Sequence, residues 1–198
     1  MTEAGVARGP ELSRKTLHLA TATVPISLWL GVQQRVVAAT LVALFGVACA
    51  VEIARRRSPT FGARFTATVG VMLRPHEVTD GVTGATWLLS AFAFTCLAAP
   101  LSVAIAATWA GAIGDASAAL LGRAWRRARG GSGKTFVGSL ACAGTTAVGA
   151  WWLGGFTPVA ALGLGAVSAA AEWPAITLDD NVRVTTAVAI AAFLLLRV

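Results

Sequence analysis

Apolar residues fall in seven long blocks: Leu17 to Val32, Val36 to Ile53, Ala85 to Pro100, Leu101 to Leu121, Phe136 to Leu153, Phe156 to Ala171 and Val184 to Val198. Each block approaches the roughly 20 apolar residues of a membrane-crossing helix, and several fall short, as helices that begin in the headgroup layer do. The pattern predicts an all-α, polytopic integral membrane bundle of about seven transmembrane helices. Between the second and third blocks, residues 54–84 form the longest interruption. Its middle, Phe65 to Leu73, is apolar but short, and predicts an interfacial or re-entrant helix ended by Arg74-Pro75.

Composition strengthens this expectation. The 198 residues are 56% hydrophobic and 13% charged, with mean hydropathy +0.72, more apolar than a soluble domain requires. One membrane-embedded domain over 1–198 is expected, with a cytoplasmic tail at 1–16 and cytoplasmic loops at 54–84 and 122–135. The first block runs past any small-residue cleavage site, so it is expected to be a retained helix and not a signal peptide. Cys49, Cys96 and Cys142 all lie in apolar blocks without CxxC or Cys/His spacing, which fits packing residues. The net charge of +7 sits in short segments between blocks, where it marks topology and phosphate binding and not nucleic acid.

Charge placement sets the orientation. With the N-terminus cytoplasmic, Arg8, Arg14, Lys15, Arg55, Arg56, Arg57, Arg64, Arg74, Arg123, Arg126, Arg127, Arg129, Lys134 and Arg183 lie inside, leaving Arg35 and Arg197 outside. Most carboxylates gather on the same side. An integral protein of the cell membrane with its active face toward the cytoplasm is therefore expected.

Four clusters on that face carry candidate chemistry. Arg14, Lys15 and His18 head the first block, where Arg14 and His18 are one helical turn apart. Glu77 and Asp80 precede Gly84-Ala85-Thr86 at the entry to the third. Asp115 is an acid inside an otherwise uncharged run, costly at membrane depth and so a functional candidate, and two helical turns separate it from the expected helix end. It is followed by Arg123, Arg126, Arg127 and Arg129 and by a glycine-rich turn, Gly130, Gly131 and Gly133, that ends in Lys134 and Thr135. That turn lacks the first glycine of a P-loop, Ala128 standing there, and no strand precedes it, but glycine N–H groups at a helix start with Lys134 suit an anion. Finally, Glu172 and Asp179-Asp180-Asn181 supply hard oxygen ligands of the kind that hold Mg²⁺ together with substrate phosphates. Small residues at Gly111, Gly114, Ala118 and Gly122 predict one smooth face for close helix packing.

In order and on one face, these clusters resemble the CTP-dependent lipid kinases: dolichol and polyprenol kinases, phytol and farnesol kinases, and CTP-dependent diacylglycerol kinases. The resemblance rests on R-K-x-x-H at Arg14, Lys15 and His18, on Glu77 before Gly84-Ala85-Thr86, and on G-D-x-x-A-x-x-x-G-R from Gly114 to Arg123. It continues with Gly133, Lys134, Thr135, Gly138, Ser139 and Ala141, and with Glu172 before Asp179-Asp180-Asn181. Val137 stands where the family has a glutamate, and Val182-Arg183-Val184-Thr185 replaces the usual Leu-Thr-Ile-Pro.

The resemblance implies transfer of the γ-phosphoryl group of CTP, with Mg²⁺, to the hydroxyl of a membrane lipid alcohol. The possible acceptors are a polyprenol, phytol, farnesol, geranylgeraniol or diacylglycerol. It assigns catalysis to Asp115, His18 and Lys134, and nucleotide binding to Arg14, Lys15, Arg123, Gly133, Lys134, Thr135, Gly138, Ser139 and Asn181. Metal falls to Asp115, Glu172, Asp179, Asp180 and Glu77. The choice of CTP over another nucleotide rests on the resemblance alone, and sequence leaves the oligomeric state open. A phosphatidate cytidylyltransferase-like enzyme and a small membrane transporter or lipid-binding protein are the alternatives; the nearly bare outer half tells against alternating access.

Overall fold

A computed structural model describes residues 18–79, 81–129, 133–173 and 179–196, and every regular element among them is helical. After one helical turn at 18–20 come α1 (Thr23–Trp29), α2 (Gln34–Arg57), α3 (Pro59–Val69), a 3-10 turn (Gly70–Met72), α4 (Pro75–Thr79) and α5 (Gly84–Ala98). Then follow α6 (Leu101–Trp109), a π-helical turn (Ala110–Gly114), α7 (Asp115–Arg129), α8 (Phe136–Trp152), α9 (Pro158–Glu172) and α10 (Asp180–Leu195). Each of the seven apolar blocks contributes a helix. Local chemistry fixes several starts: the side chains of Ser58, Thr135, Thr157 and Asp179 accept hydrogen bonds from backbone N–H groups of α3, α8, α9 and α10, and prolines open α3 and α9.

Two stretches expected as loops are largely helical. Residues 54–84 hold the end of α2, then α3, the 3-10 turn and α4, so the helix expected at Phe65 to Leu73 begins earlier, at Pro59. The basic stretch at 122–129 continues α7, because alanine and arginine favour helix. Asp115 therefore lies about four turns, not two, before the end of its helix.

Among the described residues, two helical stretches are both long and apolar enough to cross a membrane, Gln34–Arg57 and Leu101–Arg126. The other principal helices run from 15 to 17 residues. At 1.5 Å per residue these reach about 22–26 Å.

The continuous α6–α7 column is the axis of packing. On one side Leu28, Leu41, Phe92 and Ile105 join α1, α2, α5 and α6; on the other Val103, Leu164, Val184 and Val188 join α6, α9 and α10. The small-residue face expected at Gly111, Gly114, Ala118 and Gly122 is split by the π turn, whose extra residue rotates what precedes it. A Cβ on Gly114 or Gly122 would meet the hydroxyls of Thr146 and Thr135 on the α8 side, at 2.8 and 2.9 Å, whereas one on Gly111 would meet Thr185 and Phe92. Glycine thus lets α8 approach from one side and α5 and α10 from another.

The helices alternate in direction, so their ends form two unlike surfaces. At one, Gln34 Nε2 donates to the carbonyls of Cys96 and Ala99, both at 2.8 Å. At the other, Arg55, Arg74, Glu77, Lys134, Glu172, Asp179 and Asp180 meet.

Candidate functional site

Asp115 opens α7 directly after the π turn and is 5% exposed. π turns interrupt the regular ladder and often mark functional positions. Here the turn brings the Gly111 carbonyl to His18 Nε2, at 2.8 Å, while Asp115 Oδ2 lies 3.4 Å from the same nitrogen. Since a carbonyl only accepts, the network assigns the proton to Nε2, which faces both oxygens.

Two cavities meet at Asp115. The larger, about 410 Å³, lies between α2, α3 and α5; Val51, Phe65, Val69 and Leu89 make its apolar wall, and His18, Asp115 and Asn181 stand among its polar lining. The smaller, about 200 Å³, is polar and lies between α7, the 133–135 turn, α8 and the facing ends of α9 and α10. Asp115, Arg126, Lys134, Thr135, Glu172 and Asp180 surround it.

In the polar recess, Gly133 takes φ +78°, a conformation that glycine adopts without strain, and Thr135 caps α8 by accepting from Gly138 N at 3.1 Å. Lys134 Nζ donates to the Glu172 carbonyl and lies 3.7 Å from Glu172 Oε1. Arg126 donates to the Gly133 carbonyl and so ties α7 to the turn. A helix start, a lysine and an arginine favour an anion there, while Asp115, Glu172 and Asp180 provide hard oxygen donors.

A rim of ion pairs braces the larger cavity. Arg74 reaches Asp179 Oδ2 at 2.8 Å and Asp180 Oδ1 at 3.2 Å. Burial raises the Asp179 carboxyl above its ordinary range and Asp180 raises it further, with the Asn181 N–H groups and Arg74 pulling the other way. Burial pulls Arg74 down, but Asp180 and Asp179 outweigh it and leave the guanidinium more firmly charged than usual. The two shifts agree once the charges are counted: one cation faces two adjacent carboxylates and leaves negative charge in excess. With its pKa raised, Asp179 contributes stability below the ordinary carboxyl pKa that is lost as pH rises through the raised value.

The predicted residues divide accordingly. Asp115, Gly133, Lys134, Thr135, Gly138, Glu172 and Asp180 converge on the recess, and His18 and Asn181 on the cavity beside it. Glu77 also lines the cavity, but its carboxylate accepts from Arg74 N at 3.1 Å and from Gly84 N at 3.2 Å, which fixes the entry to α5. Asp179 faces Arg74 and caps α10. Arg123 and Ser139 fall outside both linings; Arg126, three residues on from Arg123, has the position facing the turn. Arg14, Lys15, Asp80, Gly130 and Gly131 lie outside the described residues.

Two contributors, Arg55 and Arg74, escaped sequence reasoning. Arg55 joins Glu52 Oε2 (2.7 Å) to the carbonyls of Glu77 and Gly81, and Glu52 Oε1 accepts from Thr83 N at 2.9 Å. In sequence, Arg74 marks a helix stop and the arginine run at 55–57 a topology signal. The one available clue was Glu52, an acid just inside the end of an apolar block.

Among the described residues no group of three or more His, Cys, Asp or Glu side chains is gathered closely enough to hold a metal by itself. No protein-family model, curated protein or solved structure matches the chain.

Proposed function

We propose that the protein is a membrane-embedded lipid-alcohol kinase, which moves the γ-phosphoryl group of a nucleoside triphosphate, CTP by resemblance, to the hydroxyl of a single-chain lipid. The observation that carries this reading is that one buried carboxylate, Asp115, lines both an apolar cavity and a cationic recess. The cavity's apolar wall and its volume of about 410 Å³ suit a lipid chain that ends in a hydroxyl.

The membrane setting draws on surface chemistry as well as on hydropathy. Val47, Phe94, Leu97, Leu140, Leu162 and Ile190 are exposed on five different helices, more apolar surface than water tolerates. Exposed tryptophans mark two levels: Trp29, Trp151 and Trp152 near the bare end, Trp87, Trp125 and Trp173 near the charged one, as at the two interfaces of a bilayer. Helices of 15 to 17 residues then span by local thinning of the bilayer. Arginine and lysine bias places the charged end in the cytoplasm, where nucleotide is available. Impermeant thiol labelling of intact cells tests this, using a chain whose own cysteines are replaced. A cysteine at Ala128 is expected to stay unlabelled and one at Thr157 to react; the opposite pattern would detach the site from cytoplasmic nucleotide.

In the reaction, the alcohol oxygen attacks the γ-phosphorus as the bond from that phosphorus to the β–γ bridging oxygen breaks. The hydroxyl proton passes to Asp115, and the nucleoside diphosphate leaves from the recess. His18 Nε2–H holds the carboxylate in place, while Lys134 and the start of α8 offset phosphate charge. One or two of the carboxylates of Asp115, Glu172 and Asp180 would hold Mg²⁺ brought with the nucleotide. Such an ion supplies neutralisation of the triphosphate. Purified protein with γ-labelled CTP or ATP and farnesol, geranylgeraniol, phytol or diacylglycerol is expected to yield organic-extractable labelled phosphate from a single-chain alcohol. Label in none of them would overturn the proposal.

Val137, the second residue of α8, tests the resemblance in this segment. A carboxylate there meets the positive helix end, worth about 0.3–1 kcal/mol, or roughly two- to fivefold in nucleotide affinity. Val137→Glu is expected to fold and bind nucleotide more tightly by that factor. Loss of folded protein would show that the position is packed against apolar neighbours.

A further inference from the structure

Resting on the kinase reading, we propose that α3 is the portal of the apolar cavity: a lipid chain that ends in a hydroxyl passes from the bilayer into the cavity by lifting α3 from the bundle. The route follows from how unequally the walls of that cavity are fastened.

Two of the walls cannot part without large losses. α2 and α5 share a core in which Leu41 packs with Leu88 and Phe92, all three buried. At the charged end the same two helices are joined by Glu52 Oε1, which accepts from Thr83 N at 2.9 Å, and both residues are buried. Separating them would open the core and leave a buried carboxylate short of a donor. The side toward Asp115 is closed as well, because His18 is held on the Gly111 carbonyl.

The third wall is held differently. None of the eleven residues of α3 is buried, although Phe65 and Val69, one turn apart on one stripe, line the cavity. Among the described residues, its side-chain hydrogen bonds stay within the helix and its cap: Phe61 N donates to Ser58 Oγ, and Thr68 Oγ1 to the Arg64 carbonyl. Close contact with α2 centres on Arg55. Its guanidinium lies 5.7 Å from the centre of the Phe65 ring, and a Cβ on Gly62 would come within 2.7 Å of its carbonyl oxygen, an approach that glycine permits. Beyond the 3-10 turn the chain is fixed again where Arg74 meets Asp179 and Asp180. The segment between is a strap tied at two arginines, with little buried surface along its length. Segments of that kind open locally at small cost while the rest of the fold stays intact. Phe61 and Val71, 41% and 64% exposed, continue the apolar surface from the strap to the outside, where a lipid chain would arrive.

Hydrogen exchange on full-length protein in nanodiscs tests this with and without farnesol, and needs no phosphate transfer. In the empty protein the α3 amides are expected to exchange faster than those of α5. Farnesol at about a hundredfold above its dissociation constant should slow them about tenfold or more, since an opening that releases ligand becomes rarer as ligand binds. Gly155, exposed in the turn at the opposite end, should not respond. Phe65→Leu keeps an apolar wall but removes the ring beside Arg55, and should speed α3 exchange in the empty protein by about two- to fivefold, the worth of one such contact at a partly exposed site. Amides of α3 that are as slow as those of α5 without lipid overturn the inference, even in a protein that phosphorylates farnesol. So does bound farnesol that leaves α3 exchange unchanged. Protection of α3 by farnesol in a protein that transfers no phosphate would sustain the inference and sink the kinase reading instead.

Discussion

Asp115→Asn is expected to lower phosphate transfer by about 10²–10⁴-fold, the range for loss of a positioned general base, while the protein folds and inserts as before. The substitution keeps volume and hydrogen-bonding shape and removes only the charge. The amide oxygen of asparagine can still accept from His18 Nε2 at that position. The fold around Asp115 does not rest on its charge: α6 and α7 are held by apolar packing and by glycine contacts with α8. Activity within threefold of the parent, with normal expression and thermal stability, would remove Asp115 from the reaction. His18→Gln should show a smaller loss, because the Gly111 carbonyl can still be met by an amide donor.

Arg55→Ala should do the reverse and act on folding, with a loss of about 3–5 kcal/mol, the usual penalty for removing one partner of a buried pair. The Arg55 and Glu52 side chains are 6% and 10% exposed, and Arg55 also satisfies the carbonyls of Glu77 and Gly81. Without it a buried carboxylate is left facing the half-exposed Arg56 at 3.6 Å, and two loop carbonyls lose their donor. The 77–83 segment would then lose its hold on α2, and the cavity wall with it. Arg56→Ala, at a half-exposed neighbour in the same run, should cost under about 1 kcal/mol. Thermal unfolding in detergent compares the two; equal effects would mean that the arginines act only as a topology signal.

That contrast shows what sequence conveys and what it does not. Three successive arginines at the end of an apolar block read as one charge signal, yet the Arg55 side chain is buried because it reaches the Glu77 carbonyl as well as Glu52, whereas Arg56, which also reaches Glu52, stays half exposed. That every apolar block holds a helix was legible because each block is bounded by charge, glycine or proline; how many cross a membrane was not, since two stretches alone among the described residues are long and apolar enough. The length of α7 was not, because arginine is as much a helix former as a loop residue, and the π turn has no local signature in Ala110 to Gly114. In the site, Asp115, Lys134, Glu172 and Asp180 were legible as charges in an apolar chain. Their division between two chambers was not, since it depends on how α7 lies against α8, α9 and α10. Arg126 in the place expected for Arg123 is a matter of one helical turn, a phase that spacing alone leaves open.

The central claim is that the terminal phosphate of a nucleotide is passed whole to an alcohol held beside Asp115. Doubly labelled CTP, with one phosphorus isotope at the α position and another at γ, tests it most directly when incubated with the purified protein and farnesol. The account predicts that the γ isotope alone enters the lipid extract, as a monophosphate, and that this signal disappears in Asp115→Asn. Appearance of the α isotope in lipid would mark cytidylyl transfer, and release of γ-labelled inorganic phosphate with an unlabelled lipid would mark hydrolysis; either result would contradict the account.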